Sequence, residues 1–167
     1  MGLENDTLHI GLFFGRNQMK ILKRWGPVFF WMGFTFLMST STFSAENTSL
    51  VVEPIVRFLF PSISPNGLLV VHGAVREMAH LTEYFVLSLL LFRAFNDGST
   101  DGQRWRWALV CLLVVALFAA SDEYHQSFVA ERSPSVRDVA LDTVGGILGL
   151  LTISTFYALT RARSVLP

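Results

Sequence analysis

Four apolar stretches, each close to the length of a membrane-crossing helix, divide the chain at about residues 27–43, 78–95, 105–121 and 139–159. A hydrocarbon layer about 30 Å thick takes roughly 20 mostly apolar helical residues. The third stretch holds the longest unbroken apolar run, WALVCLLVVALFAA. The second is the least regular, because its strictly apolar part is only Phe85 to Phe92. It spans only if His80 and Glu83 sit near one interface and Arg93 snorkels to the other. The connection from Ser44 to Glu77 contains the turn-rich PSISPNG (Pro61 to Gly67), then GLLVVHGAV, which is too short to span and is expected as a separate re-entrant or interfacial helix. The pattern predicts an all-α fold: a polytopic membrane helix bundle of about four transmembrane helices.

Composition agrees. Hydrophobic residues make up 51% of the chain and charged residues 16%, against about 25% charged in an ordinary soluble domain. The formal net charge is zero, which gives no argument for nucleic acid as a partner. The single cysteine, Cys111, lies inside the third apolar stretch, where it fills space and cannot form an internal disulfide.

The placement of charge sets an orientation. Arg16, Lys20, Lys23, Arg24, Arg93, Arg104, Arg106, Arg161 and Arg163 fall on one side, and Arg57, Arg76, Arg132 and Arg137 on the other. Lys and Arg favour the cytoplasmic side, so both termini are expected there, with Trp25, Trp105 and Trp107 as interfacial anchors. Residues 1–24 then read as a cytoplasmic N-terminal leader, 25–160 as the transmembrane domain and 161–167 as a cytoplasmic tail. A signal peptide shares the basic-then-apolar form of the first stretch. Phe43, however, stands three residues before a cut after Ala45, where a small residue is wanted, so retention is the reading adopted.

This topology gathers polar residues at the far side. The second stretch brings His80, Glu83 and Tyr84, spaced to share one helix face. The third ends in Asp122, Glu123, His125 and Gln126, and the first in Ser39, Thr40 and Ser41. In the fourth, Asp138, Asp142, Gly145 and Gly149 fall on one stripe, acids at its start and glycines deeper. A carboxylate at mid-membrane costs roughly 2.5–3.5 kcal/mol on insertion scales, so Asp142 should face the bundle and a partner. Asp138 fits a helix N-cap as well as it fits a site. Gly145 and Gly149 form a GxxxG pair that admits a close helix partner or a second copy of the chain. Glu131 and Arg137 read as solvated charges, and His72 as structural.

These residues resemble the signature of the VanZ-like family of bacterial membrane proteins. The acidic pair Asp122 and Glu123 is followed by Gln126, Phe128, Arg132, Asp138, Asp142, Gly145 and Gly149, and upstream MAHLTEYFVLSLLL supplies His80, Glu83 and Tyr84. The resemblance runs from about Trp25 to Leu159. It departs at Met78, where a Lys often stands, and at Ala130-Glu131, where a small residue often precedes the Arg. It implies a multi-pass protein of the bacterial cytoplasmic (inner) membrane. The family's name comes from a member linked to reduced susceptibility to the glycopeptide teicoplanin.

The functional expectation is a polar, acidic site at the extracytoplasmic membrane boundary, taking an envelope lipid or glycan-linked precursor. Its acid–base candidates are Glu123, Asp122, His80 and Glu83; a carboxyl raised by partial burial would serve as general base. Its binding candidates are Arg132, whose planar fork suits phosphate or carboxylate, with Gln126, Asp138, Asp142 and Tyr84. Metal chelation is the lesser reading, because no ligand spacing such as HExxH is present. The sequence leaves the cofactor unknown. The rival is a non-catalytic envelope scaffold whose charges form a structural salt-bridge network. A small transporter is weaker, since there is no repeat and no broken mid-membrane helix.

Overall fold

A computed structural model describes residues 3–40, 45–96, 101–129 and 135–165. They form five α-helices and, among the described residues, no strand: α1 Leu3–Met38, α2 Ala45–Leu59, α3 Pro65–Asn96, α4 Asp101–Gln126 and α5 Val136–Val165. Of these, α3, α4 and α5 are long and apolar enough to cross a membrane. The apolar part of α1, from Trp25 to Met38, is shorter than a span ordinarily takes. Large apolar side chains point outward, among them Phe29 and Phe30 on α1, Leu109, Leu113 and Leu117 on α4, and Leu148 and Leu151 on α5. Buried carboxylates lie within. That inversion is what a hydrocarbon solvent requires, and the chain is a multi-pass membrane protein.

The second apolar stretch is corrected by its own helix. GLLVVHGAV is not a separate element; it is the start of α3, which runs 32 residues without a break. The cause is local. Ser64 caps the helix, its Oγ accepting from the Gly67 N–H at 3.1 Å. Pro65 occupies the first helical position, where its missing N–H costs nothing. The added turns give the span its length. The preceding connection also holds a helix that the pattern did not foretell, α2, with Pro54 inside it.

At the opposite end of α3, two arginines exchange places. Pro27 lies inside α1 and cannot donate to the carbonyl of Lys23. Arg93 of α3 serves that carbonyl instead, its Nη2 at 3.2 Å. In return Arg24 of α1 donates to the carbonyls of Ala94 and Phe95, in the last turn of α3. Arg93 is therefore more than a snorkelling anchor. Arg93→Met is expected to lower stability by about 1 kcal/mol, the net worth of one such hydrogen bond. Unfolding by SDS from mixed micelles measures it.

The core runs along α3. Tyr84, Leu87, Leu91 and Phe92 meet Val28 from α1, Cys111, Val115 and Ala119 from α4, and Leu150 from α5. Cys111 is fully enclosed, as a space-filler should be. α3 packs on all four other helices, most extensively on α5, which also packs on α4. The glycine stripe makes the α3–α5 contact possible. A Cβ at Gly149 would meet the Phe85 carbonyl oxygen at 2.6 Å, and one at Gly145 would strike the Leu81 carbonyl.

Candidate functional site

α1 and α4 finish, and α3 and α5 begin, at one end of the bundle, here termed the acidic end. The helix rotations that bury Leu87 and Leu91 also turn Tyr84 and His80 inward, one and two turns earlier on the same face. The last turns of α4 present Asp122, Glu123 and Gln126, and the second turn of α5 presents Asp142. Asp142 is 0% exposed and Asp122 1%. Tyr84 is likewise fully enclosed.

Two hydrogen-bonded sets organise this cluster. His80 Nδ1 lies 3.2 Å from Asp142 Oδ1, joining α3 to α5. Ser39 Oγ, at the end of α1, donates to Asp122 Oδ2 at 2.6 Å, and Gln126 Nε2 donates to the same oxygen at 3.0 Å. Glu123 belongs to neither set, and its Oε2 accepts the Ser135 N–H at 2.7 Å. Ser135 is the N-cap of α5, its Oγ accepting from the Arg137 N–H at 3.1 Å. Asp138 is thus not the cap. It sits in the first turn and pairs with Arg76 Nη2 at 3.1 Å. Arg137 pairs with Glu77 at 2.6 Å on an exposed surface.

Several buried oxygens in the cluster make no hydrogen bond among the described residues: Asp122 Oδ1, Glu123 Oε1, Gln126 Oε1, Asp142 Oδ2 and the Tyr84 hydroxyl. An unsatisfied buried polar group costs about 1–3 kcal/mol. A fold that keeps several in one place is carrying an arrangement that packing alone would not select.

Beside the cluster lies a cavity of about 400 Å³ between the end of α1, α2 and the first half of α3. His80, Glu83 and Ser39 line it, with His72 and Arg76. Asp142 and Asp122 stand behind His80 and Ser39. The expected residues therefore divide. His80 and Glu83 face the cavity; Asp138 holds the Arg76 guanidinium; Asp122, Glu123, Gln126, Tyr84 and Asp142 form the enclosed layer. Arg132 and Glu131 lie outside the described residues, as does Ser41. His125 stacks on Phe36 with centroids 4.1 Å apart. Among the described residues, no group of three or more His, Cys, Asp or Glu side chains is placed to hold a metal ion.

Four participants were missed by sequence reasoning. Arg76 precedes His80 by four residues and so shares its face, a signal that spacing could have supplied. His72 faces the cavity by the same spacing, although it reads as structural in isolation. Thr48 and Val52 of α2 had no signal, because α2 was unforeseen.

A family model described as VanZ/LLP1 matches residues 25–157. No curated protein and no solved structure matches the chain significantly.

Proposed function

The chain belongs to the VanZ/LLP1 family, and on that premise we propose that it binds the head group of an envelope lipid or lipid-linked glycan precursor. In this reading α1 is a fourth span, both termini are cytoplasmic, the membrane is the bacterial inner membrane and the acidic end faces outward. His80 exchanges a proton with the bound head group. Its imidazole is aligned by Asp142 at Nδ1, the arrangement that fixes which nitrogen faces a ligand. Arg76 and Arg132 draw an anionic group, Glu83 faces it, and Asp122, Glu123, Gln126, Asp138 and Tyr84 position the residues in front of them.

The observation that carries this reading is the cavity's mixed lining. Val52 and Leu69 suit an acyl or prenyl chain, while His72, Arg76, His80 and Glu83 suit a polar head. The scaffold alternative draws on the Arg76–Asp138 and Arg137–Glu77 pairs between α3 and α5. Magnitude counts against it. The exposed Arg137–Glu77 pair is worth about 0–1 kcal/mol, and the part-buried Arg76–Asp138 pair does not involve the enclosed Asp122, Glu123 and Asp142.

Gly73 provides the test. It lines the cavity, and a Cβ there meets nothing within 4 Å. The Cβ of Gly73→Leu is unobstructed and narrows the lining, and replacing a mid-helix glycine gains up to about 1 kcal/mol of helix propensity. The variant should fold as well as the parent while the lipid that co-purifies with it, extracted and quantified by mass spectrometry, falls several-fold. Undiminished lipid on a well-folded Gly73→Leu protein would overturn the reading.

A further inference from the structure

We infer that the cavity opens sideways into the hydrocarbon of the membrane, between α2 and the first turns of α3, so that an acyl-chain lipid enters along the leaflet and not from water. The inference rests on the reading of the cavity as a lipid site, and it adds the route and the side from which the ligand comes.

The most exposed part of the lining is apolar. Its most exposed residues are Leu69, Gly73, Val75 and Ala79, and none of them carries a polar side chain. Leu69 is 71% exposed and Val75 47%. Of the ionisable members His80 is buried and His72, Arg76 and Glu83 are half-buried, with the Arg76 side chain still 39% exposed beside Asp138. A mouth that met water would carry its polar groups at the rim and its apolar groups inside. Here the most exposed lining is apolar and the one buried ionisable group is His80, which suits a molecule that arrives chain-first or slides in with its chain left in lipid.

The second wall points the same way. α2 turns Val52 and Val56 towards the protein and presents Leu50, Val51, Ile55 and Phe58 outward. Its Glu53–Arg57 pair, at 2.7 Å, marks a polar flank beside that apolar face. An apolar face bordered by charge, next to spans whose outward side chains are also apolar, describes a helix lying in the membrane boundary. Acyl chains are the occupant that suits this apolar face, as they suit the outward Leu109, Leu113 and Leu117 of α4.

The test uses full-length protein carrying Cys111→Ala, in phosphatidylethanolamine–phosphatidylglycerol vesicles, with single cysteines at Leu69→Cys and Glu53→Cys. Both sites are at the surface, so neither disturbs the core. A lipophilic maleimide and a charged methanethiosulfonate are compared, each supplied to both faces by freeze–thaw. Leu69→Cys is expected to react at least tenfold faster with the lipophilic reagent, relative to the same ratio at Glu53→Cys. Equal ratios at the two sites would show an aqueous mouth. Protection of Leu69→Cys from both reagents would show protein over it. Either result overturns the inference. Labelling reads the mouth whether or not lipid co-purifies, so a failed Gly73→Leu experiment and a failed labelling experiment are distinguishable.

Discussion

Gly145→Leu is expected to abolish the folded protein. The new Cβ would be driven against the Leu81 carbonyl, and at Gly149 the same change meets the Phe85 carbonyl oxygen at 2.6 Å. Overpacking costs about 1–3 kcal/mol where neighbouring side chains can shift. Here the obstacle is backbone, so relief requires α3 and α5 to part. That contact is the most extensive in the molecule, and it also joins His80 to Asp142. The loss should therefore exceed the usual range. Gly73→Leu, on the same helix as Leu81 but facing open space, should leave the fold intact. Size-exclusion profiles and pulse proteolysis in detergent read both. Wild-type amounts of monodisperse Gly145→Leu would show that the two helices are not held this closely.

The second large effect is an asymmetry across the His80–Asp142 pair. His80→Leu removes the one described hydrogen-bond partner of a fully enclosed carboxylate. Stranding a buried charge in this way costs about 3–5 kcal/mol. Asp142→Leu leaves a neutral imidazole with one unsatisfied N–H, a loss of about 1–3 kcal/mol. The histidine change should thus be the worse of the two. The double variant should be better than the sum of the single ones, because an apolar replacement of a whole buried pair is often nearly neutral. Asp142→Asn preserves an acceptor for His80 and removes the charge behind it. It should fold but hold less lipid. Additive losses, or equal ones, in SDS unfolding would mean that the two groups do not depend on one another.

Much of this architecture was legible in one dimension. The spans α3, α4 and α5 are announced by runs of apolar residues, since a bilayer imposes a length and a polarity that any helix must meet alone. Gly145 and Gly149 announced a close helix contact, and Asp142 a partnered carboxylate, because a glycine pair and an acid inside an apolar run each violate a local rule. α1 was harder. Its helix ends at Met38, and residues 41–44, where the predicted stretch finishes, lie outside the described residues.

What one chain of letters determined about this protein is its solvent, its helical class and the end at which its acids collect. Tertiary structure alone decided which acid does what. Glu123 serves the Ser135 cap, Asp122 holds Ser39, Asp138 goes to Arg76 and Asp142 to His80. Those choices depend on the rotation of each helix about its axis and on a cavity walled by α2. Rotation is fixed by packing partners distant in sequence, such as Leu81 and Phe85 against the glycines of α5, and no local pattern encodes a partner's side-chain volume.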